Sequence, residues 1–345
     1  MGYRDLADPE TRKAAKGGAE RFLEGLRLPA ALDGVEGIPA LFAALGRRLQ
    51  TLPSGSFLLA ATGEPRGLGR LVASAPERVE VLALDPLTQA EQSGACFDLF
   101  KALEDPPTGR PPASWERAFV TGGLPELKDL LRRDRDAWWE SYLATPDGRA
   151  RPAEAARERP LLSLLAEEGP ALLNKSAWAK RLGHSLAWIH STLERLEARG
   201  WVRRLPAFRS PELGKLAQQP RLLLFDSGLV AHLAGTRYAG ERERAFRTFA
   251  LLELLRHANF AGFAPYHLRT YKGRTVDLVL ERPDGRLLAF RIRATPNPRP
   301  ADLGDLPWLR ERLGGRLAAG YLVHAGEEVR ELEGFRAVPL RVLWP

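Results

Sequence analysis

The stretch RTYKGRTVDLVLERPDGRLLAFRIR, residues 269–293, decides the fold of the C-terminal part of the chain. Its two apolar runs, Thr275–Glu281 and Leu287–Arg293, are typical of strands, and Pro283-Asp284-Gly285 between them is typical of a tight turn. We therefore predict two adjacent strands joined by a hairpin. Further elements are predicted on either side of this hairpin: strands at Leu222–Phe225, Arg269–Tyr271, Ala318–His324 and Arg336–Leu343, and helices at Ala245–His257 and Leu303–Leu313.

Asp277, on the first of these strands, belongs to a pattern that restriction-enzyme-like nucleases share. In their layout a strand with Asp, a turn and a strand reading [DE]-x-[KR] place two carboxylates around magnesium, and a lysine helps to activate water. Arg291 stands at the second carboxylate position, and a cation repels a metal ion. We therefore predict no metal and no catalysis here, with Asp277 paired to Arg291 or Arg293. A shifted register, or Glu253 or Glu281 as a replacement ligand, would restore a metal site.

Residues 160–208 predict three helices followed by a strand, which is the order of a winged helix. Ser176 is the expected N-cap of the second helix and Gly183 its C-cap, and Ser185 is the expected N-cap of the third. Basic and aromatic side chains on the third helix and the wing suit contacts with phosphates and bases. The candidate nucleic-acid-binding residues are Trp188, His190, Arg195, Arg199, Arg203, Arg204 and Arg209. The alternative is a winged helix that packs only against other domains.

The first 100 residues alternate helical and strand-like patterns, which favours a parallel sheet covered by helices. The expected strands are the short apolar run Leu28–Leu32 and two buried strands, Ser56–Ala61 and Val79–Leu84. The expected helices are Leu6–Leu26, Ile38–Leu49 and Gly67–Ser74. A mainly helical stretch follows, with helices at Glu91–Glu104 and Leu124–Leu143. The polar, proline-bearing segment 145–160 is the expected domain boundary.

Several classes of site are excluded by missing motifs. The chain has no G-x-x-x-x-G-K-[ST] phosphate loop, and its nearest glycine-rich run, residues 63–70, also fails the dinucleotide pattern because Val72 stands where a small residue is needed. The six histidines form no pair spaced for zinc, and Cys96 is the single cysteine. We predict no cofactor and no bound metal.

The composition is basic, with a formal net charge of +8 and a pI of about 9.9. The basic charge indicates attraction to nucleic acid. The alternative is a GC-rich genome whose codons favour arginine, since 43 of the 51 basic residues are arginine. One cysteine, no signal peptide and no run of 18 apolar residues predict a cytoplasmic protein without membrane contact. The scarcity of cysteine and methionine, one of each, is typical of a thermophile.

In their order, these features resemble a family of AAA+-type ATPases of bacteria and archaea that end in a winged helix and a nuclease-like domain of unknown function. The resemblance rests on a series of stretches along most of the chain: FLLAATG (57–63), RVEVLALDPLTQAE (78–91), TGGLPEL (121–127), WWESYLAT (138–145), LGHSLAWIHSTLERLEARGWVRRLPAF (182–208), PRLLLFDSGLVAHLAG (220–235) and LRTYKGRTVDLVLERPDGRLLAFRIRA (268–294).

Departures from the family pattern fall in both of its sites. The resemblance implies that residues 1–6 match the family's second strand, so the strand and loop that hold ATP are missing. Asp33 keeps the magnesium-binding aspartate of the Walker B strand, but the following glutamate is lost. In the nuclease-like part Arg247 stands for a glutamate, Glu253 is kept, and Arg291 and Arg293 replace the glutamate and lysine of the Glu-Val-Lys strand. The resemblance therefore implies a degenerate member, and the extra arginines suggest a cleft that holds phosphate directly.

Together these inferences predict a multi-domain α/β protein. Its parts are a truncated AAA+-like parallel sheet with helices (1–95), a helical lid-like segment (96–150), a winged helix (151–212) and a degenerate restriction-endonuclease-like α/β domain (213–345). Because the missing strand is central, we expect a smaller rebuilt sheet, or one completed by a second chain or by a homo-oligomer. The favoured function is binding of DNA or another nucleic acid. The alternatives are a protein–protein scaffold or regulatory subunit, and a residual ATPase or nuclease that uses a partner's site.

Overall fold

The computed structural model describes residues 2–63, 65–95, 97–106, 114–144, 152–235 and 241–343. The chain divides into two compact units, one of Met1–Leu84 with Ser191–Trp201 and the other of Asp85–His190 with Val202–Pro345. Both units mix helices and strands, so the predicted α/β class is confirmed. No helix in these described ranges is long and apolar enough to cross a membrane.

The first unit contains a three-stranded parallel sheet in the order β1-β2-β3. Its elements are β1 Gly2–Asp5, α1 Pro9–Gly17, α2 Ala19–Glu24, β2 Ala30–Asp33, α3 Pro39–Arg48, β3 Phe57–Ala60 and α4 Leu68–Ser74. Leu6, Leu32, Leu41 and Phe42 lie in the core between the sheet and the helices. The small parallel sheet expected from the sequence is therefore present.

Three predictions for this unit were wrong. Val79–Leu84 was expected to be a buried strand, but it forms no strand, and Leu82 and Leu84 are 75% and 93% exposed. An isolated apolar run cannot satisfy its backbone groups, so it becomes a strand only beside a partner. β3 was also expected to be buried. It is instead an edge strand of its sheet, and Leu58 is 58% exposed. The single helix expected at Leu6–Leu26 is divided at Gly18 into α1 and α2.

The helical stretch of the second unit is more broken than predicted. Its helices are α5 Gln89–Gln92, α6 Leu99–Glu104, α7 Trp115–Thr121 and α8 Arg132–Ala144. The helix expected at Glu91–Glu104 ends at Gln92 and resumes at Leu99, because Asp98 caps a new helix start. The helix expected at Leu124–Leu143 starts only at Arg132, and α7 was missed.

Three helices and a three-stranded antiparallel sheet follow, in the order that the sequence predicts for a winged helix. We call residues 152–224 the winged-helix region. Its elements are α9 Pro152–Glu168, β4 Ala171–Leu172, α10 Lys175–Leu182, α11 Leu186–Ala198, β5 Val202–Leu205 and β6 Arg221–Leu224, with strand order β4-β6-β5. The second half of α11 is grouped with the first unit.

Local details of the winged-helix region differ from the sequence expectations. Asn174, and not Ser176, caps α10, whereas Ser185 accepts the Trp188 N–H as expected. The expected boundary at 145–160 becomes helical at Pro152, and residues 145–151 lie outside the described part. β6 was assigned to the C-terminal part, but it pairs with β4 and β5.

The C-terminal domain, residues 242–343, contains a six-stranded mixed sheet in the order β11-β12-β10-β9-β8-β7. α12 Ser227–Ala234 precedes it, and its elements are α13 Arg242–Phe260, β7 Ala264–Arg269, β8 Thr275–Glu281, β9 Leu287–Arg293, α14 Leu306–Leu313, β10 Leu317–His324, β11 Arg330–Leu332 and β12 Phe335–Pro339. The hairpin strands β8 and β9 have the predicted bounds. They place Asp277 and Arg291 side by side.

The segment 206–220 between β5 and β6, which we call the wing segment, is bound to the C-terminal sheet. Phe208 N donates to His267 O at 2.7 Å, and His267 N donates to Pro206 O at 2.9 Å. Farther along, Ala217 N donates to Arg269 O at 2.8 Å. The wing segment therefore extends the sheet beyond β7.

Candidate functional site

The centre of the predicted nuclease-like cleft is Asp277, which is 3% exposed. The register that pairs Leu278 with Phe290 places Asp277 opposite Arg291. Arg291 Nη1 donates to Asp277 Oδ2 at 3.1 Å, and Ile292 N donates to the same oxygen at 2.9 Å. The predicted pairing of Asp277 with Arg291 is confirmed, and the charge of the carboxylate is offset by a guanidinium.

Further arginines surround this pair. Arg247 Nε lies 3.7 Å from Asp277 Oδ1, and Arg247 Nη2 donates to Glu243 at 3.2 Å. Arg293 lies 3.5 Å from Glu243, and not beside Asp277. Glu243 therefore shares its charge between two arginines.

Arg221, on β6, interacts electrostatically with these charges. Burial lowers the pKa of Arg221; Asp277 opposes the shift, and the nearby charges of Arg247, Arg269 and Arg291 reinforce it. Arg221 Nη1 donates to a backbone carbonyl at 3.0 Å. We call Arg221, Arg247, Arg291 and Asp277 the arginine cluster.

The two glutamates considered as replacement ligands do not join Asp277. Glu253 accepts from Arg256 at 2.6 Å and from the Gln89 N–H at 2.9 Å, so both its oxygens have partners. Glu281 pairs with Arg316 at 3.3 Å. Within the described ranges no three His, Cys, Asp or Glu side chains are grouped to hold a metal ion.

Glu253 belongs to a buried ionic network that sequence reasoning missed. Arg256 joins Glu253 to Asp226, whose Oδ2 lies 3.2 Å from Arg256 Nη2; both carboxylates are fully buried and Arg256 is 3% exposed at its side chain. Burial raises the pKa of Glu253 despite the neighbouring guanidinium. Arg256 also donates to Leu87 O at 3.2 Å. The network therefore joins three separate sequence stretches.

The TGGLPEL stretch reaches the same network through its glycines. Gly123 N donates to Asp226 Oδ2 at 2.7 Å, and a side chain on Gly122 would overlap the Asp226 carboxylate. Asp226 also caps α12 through Gly228 N, at 2.7 Å. The Asp-Ser-Gly start of α12 was the available sequence signal, because aspartate before a helix is a common N-cap. Residues 121–127 and the start of α12 are therefore packed together around the buried carboxylate of Asp226.

The candidates on α11 have different surroundings. Trp188 stacks on His184 with ring centroids 3.8 Å apart, and His190 and Arg195 are exposed. Arg195 also donates to Thr192 at 3.0 Å. Arg199 is half-buried near the end of the helix. Trp188 and His190 belong to the second unit, and Arg195 and Arg199 to the first.

The candidates on β5 and the wing segment separate into two groups. Arg203 is bound by Asp85, and burial lowers the pKa of Arg203. Arg204 and Arg209 are exposed and line a single cleft of about 450 Å³. The remaining lining residues are Pro206, Ala207, Phe208, Gln218, Pro220, Tyr266 and Glu281. We call this space the wing cleft.

The Walker B-like aspartate, Asp33, ends β2 in the first unit. Tyr3 donates its hydroxyl to Asp33 Oδ2 at 3.1 Å, and this hydrogen bond raises the pKa of Tyr3. In the same unit a side chain on Gly63 would overlap the Ala198 carbonyl, so the residues after β3 pack against the end of α11.

Comparison with known proteins identifies two regions of the chain. Residues 112–239 match the family model described as Domain of unknown function (DUF8612), and residues 242–343 match the one described as Domain of unknown function (DUF4143). No curated protein and no solved structure matches the chain. The chain therefore consists in large part of two domains of unknown function, one containing the winged-helix region and the other the six-stranded sheet.

Proposed function

We propose that this protein acts by binding nucleic acid and does not cut it. The observation that carries the proposal is the wing cleft, because it brings two arginines and a tyrosine ring to one surface. Arg204 and Arg209 offer charge to phosphates, and Tyr266 offers a face on which a base can stack. Cationic and aromatic side chains in one groove are what single-stranded nucleic acid requires, with little dependence on sequence.

The charge of the C-terminal domain supports the same proposal. Residues 242–343 contain 18 Arg and Lys residues and 12 Asp and Glu residues, a difference of +6 within a chain of net +8. Such a surplus on one domain attracts a polyanion and speeds its association. Tyr266 stands on β7 of this domain, next to the wing segment.

Binding without cleavage is supported by the surroundings of Asp277. A two-metal or one-metal nuclease needs carboxylates that are free to ligate an ion. Here Arg291 and the Ile292 N–H both donate to one oxygen of Asp277, and Arg247 lies near the other. A cation approaching Asp277 would be repelled by these guanidinium charges.

The test is a salt titration of binding to single-stranded and duplex oligonucleotides, followed by fluorescence anisotropy. Each phosphate contact contributes about 0.7 to the slope of log K against log salt for a single strand. We expect Arg204→Gln combined with Arg209→Gln to lower that slope by about 1.4 and to weaken binding about tenfold or more. Arg286→Gln combined with Arg312→Gln is the matched control, because both arginines are exposed and the charge change is equal.

A wild-type affinity that does not fall with salt would refute the proposal. An equal loss in the cleft variant and in the control variant would show that only the overall charge matters, and would refute the wing cleft as the binding site. Tyr266→Leu separates stacking from charge, since it is expected to weaken single-strand binding more than duplex binding.

The bound wing segment favours a second candidate, a protein–protein scaffold. The wing segment is hydrogen-bonded to β7, and Arg203 is held by Asp85. In a free winged helix the wing and its arginines would be open to contact DNA. β3 is the terminal strand of its sheet in the described residues, which supports the predicted second chain as its partner. Salt-independent self-association, measured by analytical ultracentrifugation, would favour this candidate.

We further propose that the chain is a degenerate relative of the AAA+-type ATPases that it resembles. The parallel order β1-β2-β3, with Asp33 at the end of the middle strand, supports this origin. The Tyr3 hydroxyl now donates to Asp33. Micromolar binding of ATP by the full chain would contradict the proposed degeneracy.

A further inference from the structure

The arginine cluster leaves more donors than its acids can satisfy. The Nε–H groups of Arg221, Arg247 and Arg291 are all buried, and within the described ranges none has a hydrogen-bond partner. Buried N–H groups are seldom left without an acceptor, because their lost hydration is not replaced. Such unpartnered groups, two of them on arginines that pair with Asp277, indicate that the cluster suits an additional anionic acceptor.

The balance of charges also favours an additional anion at the arginine cluster. Asp277 is the acid within the cluster, and two of its partners, Arg291 and Ile292 N, already donate to the same oxygen. Glu243 divides its charge between Arg247 and Arg293. The guanidinium groups of Arg247 on α13 and Arg291 on β9 therefore share one full carboxylate and part of a second.

The backbone approaches Arg291 closely on one side. Gly304 has φ +57°, and a Cβ built on it would lie 3.1 Å from Arg291 Nε. A residue larger than glycine would crowd that nitrogen. The side chains of Arg247 and Arg291 are 28% and 17% exposed, so both guanidinium groups remain partly accessible from solvent.

We propose that the arginine cluster binds a phosphate group, either free inorganic phosphate or the terminal phosphate monoester of a nucleic acid strand. Arginine suits this ligand because its planar guanidinium donates in pairs to phosphate oxygens. A small ion or a terminal group reaches partly buried donors more readily than an internal phosphodiester of a duplex does. Asp277 positions Arg291 through their ion pair.

The test uses the full chain with inorganic phosphate as the first probe, by isothermal titration calorimetry at constant ionic strength. We expect binding by the wild type and at least a tenfold weaker binding by Arg247→Gln. Arg242→Gln, on the same helix, is the matched control, since its guanidinium binds Glu116 and the Ala294 carbonyl. Arg247→Lys keeps the charge with one donor group, and an intermediate affinity is expected.

The source of the phosphate is decided with a 5′-phosphorylated and a 5′-hydroxyl oligonucleotide of the same sequence. Tighter binding of the phosphorylated strand, reversed by inorganic phosphate, assigns the arginine cluster to strand ends. Equal binding of both strands, with phosphate binding retained, assigns it to the free ion. No phosphate binding by the folded wild type, or equal phosphate binding by Arg247→Gln, overturns the proposal. Phosphate binding retained in the Arg204→Gln, Arg209→Gln variant separates this inference from the wing cleft.

Discussion

Removal of the Arg256 guanidinium is the sharpest test of what holds the second unit together. Arg256 is the shared partner of Asp226 and Glu253, and the side chains of both acids are fully buried. Arg256→Met keeps much of the aliphatic stem and removes the charge. Two carboxylates would then lie in the interior without a cation.

The expected cost follows from the burial of this network. Breaking a buried ion pair by removing one partner costs roughly 3–5 kcal/mol, because the remaining charge is uncompensated. For a unit of this size 1 kcal/mol corresponds to about 2–4 °C in Tm, so we expect Arg256→Met to lower Tm by about 6–20 °C. An exposed ion pair is worth at most about 1 kcal/mol. Arg330→Met, which removes the exposed pair with Glu328, is therefore the matched control.

Guanidinium and thermal unfolding followed by tryptophan fluorescence measure this difference, since seven of the eight tryptophans lie in the second unit. A neutral triple variant, Asp226→Asn with Glu253→Gln and Arg256→Met, is expected to recover at least half of the loss because it leaves no buried charge. If Arg256→Met were no less stable than Arg330→Met, or if the triple variant were the least stable of all, the reasoning would be refuted.

Two further predictions concern stability. Gly122→Ala, at φ +76° against the Asp226 carboxylate, is expected to lower the free energy of unfolding by roughly 2–4 kcal/mol; Gly183→Ala, at φ +67° with open space, is expected to cost about 1 kcal/mol. Burial lowers the pKa of three histidines to about 4: His257, His267 and His324. Because the unfolded chain protonates them near pH 6.5, their contribution is complete above that pH and is lost as the pH falls toward 4, by up to about 1.4 kcal/mol per pH unit for each histidine. Guanidinium midpoints at neutral pH and near pH 5 measure this loss, and an equal loss in a His324→Phe variant would contradict it.

The features that the sequence determined are those with local causes. The strands β8 and β9 follow from two apolar runs around Pro283-Asp284-Gly285, and the hairpin that they form brings Asp277 beside Arg291. The cap of α11 at Ser185 depends on a side chain three residues from its donor. Local pattern also predicted the parallel sheet of the first unit, because short apolar runs alternate with amphipathic helices.

The predictions that failed concern features that depend on residues far away in the sequence. Val79–Leu84 has the composition of a strand, yet no neighbouring strand pairs with it in the described residues. The sequence predicts that Arg203 contacts phosphate from the wing. In the structure Arg203 binds Asp85, which is 118 positions earlier. From the sequence, Glu253 resembles a remnant of a metal site. In the structure Glu253 pairs with Arg256, and Arg256 also pairs with Asp226.

By itself, the sequence determined the α/β class and the pairing of Asp277 with an arginine of the next strand, Arg291 or Arg293, since each depends on residue types or on neighbours within one hairpin. Only the tertiary structure decided which charges are buried and which lie at the surface. The wing segment pairs with β7, and Arg204 and Arg209 line one cleft together with Tyr266. The physical reason is that desolvation and charge pairing depend on distance in space, and the period of a helix or strand contains no information about which distant element will pack against it.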